Sequence, residues 1–212
     1  ENSQFEYGGP ASKRENNYLD RDWFEQFAVM GYRVSDLIDE GFDKKDLLVF
    51  QYPSDEELKE ARVTGLFLGY YNRWDASKHV QKMISMGWNV NPDGPVENAY
   101  YNYENLDCKW IGGLHDYLKF LKYGFSRATD QLCLEVRNGR IDRETALRVV
   151  KNYEGKLPRK YLQDFIDFIG CTEKEFYETL DKFTNRKIFR TDKNGNFMRD
   201  ENGDVIKIDY GY

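Results

Sequence analysis

Residues 101–130 read YNYENLDCKWIGGLHDYLKFLKYGFSRATD, and they decide what kind of fold this chain can form. If LHDYLKFLKYG is helical, His115, Lys119 and Lys122 share one face at positions i, i+4 and i+7. The other face carries four apolar side chains: Leu114, Tyr117, Leu118 and Leu121. The pattern predicts an amphipathic helix with a cationic stripe, and therefore a fold in which helices pack on one another.

The same stretch continues with a helix stop and a helix start. Gly124 can end the first helix, and Ser126 can cap the next one. Arg127 and Asp130 then lie in the first turn of that second helix. Because a helix N-terminus presents free N–H groups, this turn can bind an anion with the help of Arg127. Together with the two lysines of the first helix, it predicts contacts to the phosphates of a nucleotide or nucleotide sugar.

A purely structural interpretation of this stretch is the alternative. The lysines would be solvated surface charges, Asp130 a second cap, and His115 a partly buried histidine with satisfied ring nitrogens. Cys108, next to Asp107, would be a small buried residue and not a nucleophile. Spacing alone leaves both interpretations open.

Composition limits the class of protein. A chain of 212 residues can form one domain or one lobe of a larger enzyme. Its net charge of −6 disfavours a nucleic-acid partner, since such proteins usually carry a basic surplus that displaces counterions from phosphate. No apolar run is long enough to cross a bilayer. The three cysteines form no C-x-x-C pair, which argues against a disulfide framework or a self-contained zinc site. We therefore expect a cytoplasmic protein with no membrane partner.

Helical patterns dominate the rest of the chain. Capping boxes predict helices that begin after Ser54 and after Thr172. Two more helices are predicted over 142–155 and 158–170 from a cap, a first-turn proline and terminal glycines. The run LFLGYY at 66–71 predicts a short buried strand, and two Asn-Gly dipeptides near the C-terminus predict a small β-hairpin. The expected fold class is mainly α with a minor β component.

Several long blocks of the sequence resemble one enzyme family. The blocks are YYNYENLDCKWIGGLHDYLKFLKYGFSRATD at 100–130, RNGRIDRETALRVVKNYEGKLPRKYL at 137–162 and FTNRKIF at 183–189. Upstream, ENSQFEYGG at 1–9 and LFLGYYNRWD at 66–75 are similar to segments of the same family. The family is that of the N-acetyl sugar amidotransferases, which belong to the PP-loop ATP-pyrophosphatase superfamily and act in bacterial surface-polysaccharide and flagellar sugar pathways.

This resemblance implies a fold and a chemistry. The family has a nucleotide-binding α/β domain with a parallel sheet, continued by a mainly helical C-terminal region. Its members use ATP to activate the oxygen of a sugar N-acetyl group as an adenylate, and ammonia then displaces AMP to leave an acetamidino group. The resemblance thus implies ATP and Mg²⁺ as cofactors, a UDP-sugar as substrate and a separate glutaminase subunit as the source of ammonia. It leaves the oligomeric state open, a homo-oligomer included.

The family's phosphate-binding loop is missing from this sequence. That loop is of the type Ser-Gly-Gly-x-Asp-Ser, and Gly8-Gly9 lacks the serines and aspartate that flank its glycines. We therefore expect the chain to be the C-terminal portion of a longer enzyme and not to hydrolyse ATP by itself. The expected divisions are a remainder of the PP-loop domain with a helical insertion at 1–98, a helical region at 99–190 and a hairpin tail at 191–212.

The resemblance also extends to individual positions. Two residues are expected to be catalytic and to orient substrate or ammonia: His115 and Asp130. Contacts to substrate or phosphate are expected from Lys119, Lys122, Arg127, Asn105, Asp107 and Arg73. Contacts to the nucleotide-binding domain are expected from Glu1, Asn2, Tyr7 and Gly8. No metal ligand is expected. Gln131 stands where many relatives carry histidine, so no general acid is assigned there.

A non-catalytic function is the second hypothesis. The chain could be a helical binding or assembly module that lacks the PP-loop domain and retains only partner docking. An open reading frame that continues upstream into Ser-Gly-Gly-x-Asp-Ser would favour the enzyme. A natural start immediately before Glu1 would favour the module.

Overall fold

The computed structural model describes residues 18–19, 21, 32–68, 71–72, 75–104 and 106–209. Contacts divide the chain into two compact units, residues 1–79 and residues 80–212. This division falls earlier in the chain than the boundary expected at residue 98. Helices make up most of the regular structure in the described residues, which confirms the mainly α fold class.

The described part of the first unit contains short elements. Strand β1 (Tyr18–Leu19) pairs antiparallel with β2 (Gly65–Leu66). Helix α1 is Val34–Asp39, and α2 is Asp55–Ala61. A single 3-10 turn at Leu48–Phe50 lies between the two helices.

Two predictions fall in this unit, and they differ in outcome. The capping box of α2 is confirmed, since Ser54 Oγ accepts from the Glu57 amide and the Glu57 carboxylate accepts from the Ser54 amide. The strand predicted over 66–71 is wrong in extent because pairing ends at Leu66. The chain turns there instead, with the amides of Tyr71 and Asn72 donating to the Leu68 carbonyl.

Helix α3 (Ala76–Ser85) precedes the helical part of the second unit. A π-helical turn at Ile111–His115 leads directly into α4 (Asp116–Tyr123). The remaining described helices are α5 (Arg127–Arg137), α6 (Arg143–Val150), α7 (Leu162–Ile169) and α8 (Glu173–Phe183).

The bounds of these helices follow from local chemistry. Helix α4 ends as predicted at Gly124, which has a φ of 79° and donates its amide to the Phe120 carbonyl. The predicted capping box of α8 is also present, with Thr172 and Glu175 bonded reciprocally. Gly155 likewise needs a positive φ, and a Cβ there would lie 2.9 Å from the Phe120 ring.

Two helices are shorter than predicted. Helix α6 ends at Val150 because the chain continues in turns, with the Tyr153 amide bonded to the Val150 carbonyl. Helix α7 begins at Leu162 and not at residue 158. The segment before it is held differently, since the Leu157 amide donates to Asp204 Oδ1 at 3.0 Å.

The core of the second unit lies between α4, α7, α8 and the C-terminal tail. Its most deeply buried side chains include Tyr117, Leu121, Ile166, Leu180, Phe189 and Val205. Of the predicted apolar face, Leu114, Tyr117 and Leu121 lie in this core, but Leu118 does not, since it is 37% exposed and lines the groove beside Lys119 and Lys122. Burial of such side chains contributes roughly 1.5–3 kcal/mol each to stability.

The tail forms a meander with two tight turns. Antiparallel bridges join Phe189 to Lys207, Thr191 to Phe197, and Arg199 to Val205. Each turn centres on an Asn-Gly dipeptide and begins with an aspartate, Asp192 or Asp200, whose Oδ1 accepts two backbone amides. The two Asn-Gly turns predicted from the sequence are therefore present.

Candidate functional site

Six polar residues meet where α4 gives way to α5, and we call them the α4–α5 polar cluster. They are Glu104, Asp116, Lys119, Arg127, Asp130 and Gln131. The sharp stop at Gly124 turns the chain back, so that the first turn of α5 faces α4. Three of the predicted site residues, Lys119, Arg127 and Asp130, are thus brought together.

Asp116 is the buried centre of the cluster, with no exposed surface. Arg127 Nε donates to Asp116 Oδ2 at 2.7 Å, and His115 Nδ1 lies 3.2 Å from Asp116 Oδ1. A carboxylate buried in this way needs a cationic partner and hydrogen bonds, because removing its charge from water is costly. Sequence reasoning missed Asp116, since nothing in helical spacing links it to an arginine on the next helix.

Arg127 also faces a second carboxylate. Its Nη1 lies 3.7 Å from Glu104 Oε2, which accepts a hydrogen bond from Gln131 Nε2 at 2.6 Å. Burial raises the pKa of the Glu104 carboxyl, opposed by the Gln131 hydrogen bond and the charge of Arg127. The side-chain oxygen of Gln131 accepts hydrogen bonds from the backbone amides of Tyr100 and Tyr101. These bonds fix the loop that carries Glu104. Arg127 is therefore held between two carboxylates.

Lys119 and Asp130 form an ion pair between the two helices. Their side chains are 24% and 30% exposed, so the pair is partly shielded from solvent. The Lys119 Nζ also lies 4.7 Å from the centre of the Phe125 ring. The Asp130 carboxylate thus binds Lys119 and does not act as a second cap, and its expected catalytic role stays a prediction.

The N-terminus of α5, predicted to bind an anion, is filled by a carboxylate of the chain itself. Glu154 Oε1 accepts hydrogen bonds from the backbone amides of Ser126 and Thr129, at 2.8 and 3.2 Å. It also accepts from both of their hydroxyl groups. Ser126 stands at the cap position as expected, but its hydroxyl does not cap α5, since its one proton faces two acceptors, the Asn98 carbonyl at 3.0 Å and Glu154 Oε1 at 3.2 Å. The site has the predicted chemistry, and an internal anion occupies it.

An apolar groove runs between α4, α7 and α8, and we call it the α4–α8 groove. It has a volume of about 610 Å³. One edge carries His115, Lys119 and Lys122, which is the face that the sequence predicted. The other lining residues are mostly apolar, as Phe165, Ile169 and Phe183 are, and they also include the carboxylate-bearing Glu175. The cationic stripe of α4 therefore borders a cavity.

The edge residues of this groove are not equally available to a ligand. Lys119 is paired with Asp130, whereas Lys122 has no ion pair within the described part of the chain. The His115 side chain is 64% exposed, so it is not the buried histidine of the structural interpretation. Lys122 and His115 are the two groups that a bound anion could reach without breaking the Lys119–Asp130 pair.

The other predicted site residues are placed as follows. Asp107 is exposed and lies in a turn. Cys108 next to it is a free, half-buried cysteine. Six predicted residues lie outside the described residues: Asn105, Arg73, Glu1, Asn2, Tyr7 and Gly8.

Long-range partners are what the sequence failed to reveal. Asp116, Glu104 and Glu154 complete the surroundings of the predicted residues, and each bonds to a residue on another element. Of these three residues, Glu154 is the one with a sequence signal, because it lies in the Asn-Tyr-Glu-Gly run that ends a predicted helix. Across the described ranges, no helix has both the length and the apolar character of a membrane span.

Comparison with known proteins assigns this part of the chain to a family. Residues 97–201 match the family model described as "LPS biosynthesis protein WbpG-like, C-terminal domain". This segment, about half of the chain, is therefore a domain of a lipopolysaccharide biosynthesis family. The family is the WbpG-like one, and the matched segment corresponds to its C-terminal domain. The three sequence blocks on which the resemblance chiefly rests all lie within the match. No curated protein matches the chain.

Proposed function

We propose that the chain is the C-terminal portion of an ATP-dependent amidotransferase that converts an N-acetyl group of a nucleotide-linked sugar to an acetamidino group. The family match supports a role in lipopolysaccharide biosynthesis, for which sugars are supplied as nucleotide-linked precursors. The observation that carries the proposal is the cationic edge of the α4–α8 groove, which lies within the matched segment. Ammonia would come from a glutaminase partner.

The described residues do not fit ATP and Mg²⁺. None of them form a group of three or more His, Cys, Asp or Glu side chains that could hold a metal ion. The N-terminus of α5, which the sequence predicted to bind an anion, is occupied by Glu154. We therefore assign ATP and Mg²⁺ to the part of a PP-loop domain that carries the Ser-Gly-Gly-x-Asp-Ser loop, a motif that these 212 residues do not contain. ATP would supply the adenylate that turns the acetyl oxygen into a leaving group.

This chain's own residues would bind and orient the nucleotide sugar. Lys122 is the best placed to contact a phosphate, because it lines the groove and has no carboxylate partner among the described residues. His115 at the same edge would orient the substrate or the ammonia. For Lys119 and Arg127 to bind phosphate, each would have to exchange a carboxylate for it. Arg127 instead positions α4 against α5.

A helical docking module is the second candidate function, and the apolar character of the groove favours it. Leu118, Ile169 and Phe183 line the groove with 37%, 47% and 58% of their surfaces exposed. Exposed apolar side chains grouped in this way are typical of a surface that binds another protein. A module of this kind would not bind nucleotide sugars.

Titration with UDP-N-acetylglucosamine distinguishes the two functions. We expect Lys122→Ala to weaken binding about tenfold at low salt, because it removes a direct charge contact to phosphate. The matched control is Lys151→Ala, which removes an exposed lysine outside the groove. Arg127→Ala is unsuitable because it would leave the buried Asp116 without its ion pair. Equal affinities for the wild type and Lys122→Ala would reject the phosphate contact.

A further inference from the structure

A second cavity in the same unit shares no lining residue with the α4–α8 groove. It has a volume of about 390 Å³ and lies between the loop at 91–97 and the segment at 152–161. We call it the Tyr153 pocket, after the tyrosine in its wall. Cavities of this size are typical of small-molecule sites.

The walls of the Tyr153 pocket combine aromatic and polar groups. Tyr153 and Tyr161 contribute phenol rings, and Asn91 and Asn152 contribute amides. A pyranose ring needs this combination, because one of its faces presents C–H groups that pack on an aromatic ring and its edge presents hydroxyl groups. The lining therefore matches the amphipathic character of a sugar.

Three polar groups of the lining lack hydrogen bonds to the described part of the chain. They are the Glu97 carboxylate, the Asn152 side-chain amide and the Tyr153 hydroxyl. Glu97 and Tyr153 are half-buried, so these two groups are only partly solvated, whereas Asn152 is exposed. Convergent polar groups of this kind are the usual source of orientation and specificity in a small-molecule site.

The charges in the pocket favour a neutral ligand over a phosphate. Lys160 Nζ lies 2.8 Å from Asp93 Oδ2, and this contact raises the pKa of the lysine and lowers that of the aspartate. Lys156 Nζ donates to the Asn152 backbone carbonyl. With both lysines engaged, the Glu97 carboxylate is left facing the cavity, where it would repel an anion.

The two walls are held together at their base by a buried residue, Asn98, which has no exposed surface. Its side-chain amide donates to the Lys156 carbonyl at 2.8 Å, and its side-chain carbonyl accepts the Gly155 amide at 2.9 Å. Its backbone amide donates to the Tyr153 carbonyl. On the opposite wall, the Asn91 amide group donates to the Gly94 carbonyl at 2.8 Å. The cavity is thus formed before any ligand binds, which lowers the entropic cost of binding.

We infer that the Tyr153 pocket binds a neutral pyranose, with Glu97 and Asn152 bonding to hydroxyl or acetamido groups and Tyr153 packing on the ring face. The choice of an N-acetylated sugar as ligand rests on the proposed function. The pocket adjoins the π-helical turn before α4, since Val96 and Glu97 approach Gly112 and Gly113 closely. The sugar would therefore bind next to the element that leads to His115.

Backbone-amide NMR on the isotope-labelled chain tests this inference. Titration with N-acetylglucosamine or N-acetylgalactosamine should shift the amides of Gly94, Asn152 and Tyr153 in a saturable way. The amide of Thr179, in the α4–α8 groove, should stay unchanged. Glu97→Gln should weaken binding about fivefold, because hydrogen bonds to a charged acceptor are roughly twice as strong as neutral ones. Glu178→Gln on α8 makes the same chemical change outside the pocket and should leave binding unchanged.

Several outcomes would overturn the inference. They are the absence of saturable shifts with both sugars, equal binding by wild type and Glu97→Gln, and shifts of the same amides by inorganic phosphate. The proposed function is tested separately, by transfer of the acetyl oxygen to AMP. Oxygen transfer without sugar binding at these amides would reject the pocket alone, whereas sugar binding without oxygen transfer would reject the amidotransferase alone.

Discussion

Replacing Asp116 by alanine should lower the free energy of unfolding by about 3–5 kcal/mol, because Arg127 would lose its buried partner. The Asp116 side chain is completely buried, and the Arg127 side chain is only 19% exposed. Water cannot replace the lost carboxylate fully at such a position. Glu104, whose Oε2 lies 3.7 Å from Arg127 Nη1, further limits the access of water to the guanidinium.

Urea unfolding of Asp116→Ala and Asp130→Ala provides the matched comparison. Both changes remove an aspartate that pairs with a cation across the α4–α5 contact, but Asp130 is 30% exposed. We expect Asp130→Ala to lower stability by only about 0–1 kcal/mol. Replacing the pair together, as Asp116→Leu with Arg127→Met, should recover part of the loss, since Arg127 is no longer left without Asp116, while Glu104 loses the cation 3.7 Å away. Equal losses from the two single aspartate variants would contradict this account of Asp116.

Replacing Glu154 by alanine should have the second largest effect, a loss of about 2–4 kcal/mol. Its single oxygen Oε1 accepts from two amides and two hydroxyls at the N-terminus of α5. Ser126 is fully buried, so its amide would lack a partner in the variant. The carboxylate also interacts favourably with the dipole of α5, and that contribution disappears with it.

Hydrogen exchange and thermal unfolding would measure this loss. The amides of Ser126 and Thr129 should exchange faster in Glu154→Ala, while those of α8 should change only through global stability. Asp142→Ala is the control because it removes an ordinary exposed cap, at α6, whose oxygen accepts the Thr145 amide. That loss should be about 1 kcal/mol. A Glu154 variant no less stable than the Asp142 variant would show that the internal anion is dispensable.

Local chemistry explains which parts of the fold the sequence could predict. The α4 helix, its stop at Gly124 and the capping boxes at Ser54 and Thr172 all depend on residues within one or two turns. The cationic face of α4 was predicted for the same reason, since a helical period fixes which side chains share a face. These predictions, which needed only this short range, were confirmed, whereas the full lengths of α6 and α7 were not.

The surroundings of the site depend on contacts between distant residues, which periodicity does not reveal. Glu154 fills the N-terminus of α5 from 28 residues away, and Arg127 reaches Asp116 across a helix stop. The same limit affected α7, whose predicted first turn is displaced because Leu157 binds Asp204 in the tail. The sequence therefore predicted a site able to bind an anion but not the carboxylates that occupy it.

These contacts change the roles that we expect for the predicted site residues. In the structure, Arg127 and Lys119 stabilise the contact between α4 and α5 through carboxylates. Lys122 and His115 at the groove, and the Tyr153 pocket beyond the π-helical turn, are then the surfaces available to substrate.

The most direct test of the central proposal is transfer of the acetyl oxygen. The encoded protein that contains this chain together with a PP-loop domain would be incubated with ATP, Mg²⁺, ammonia and UDP-N-acetyl sugars whose acetyl group carries a heavy oxygen isotope.

In the proposed reaction that oxygen attacks the α-phosphorus of ATP and pyrophosphate leaves. Ammonia then adds to the activated carbon and loses a proton, and AMP leaves with the oxygen. The account predicts labelled AMP and a sugar in which one oxygen is replaced by an NH group. Unlabelled AMP, or an unchanged acetyl group in every sugar, would contradict it.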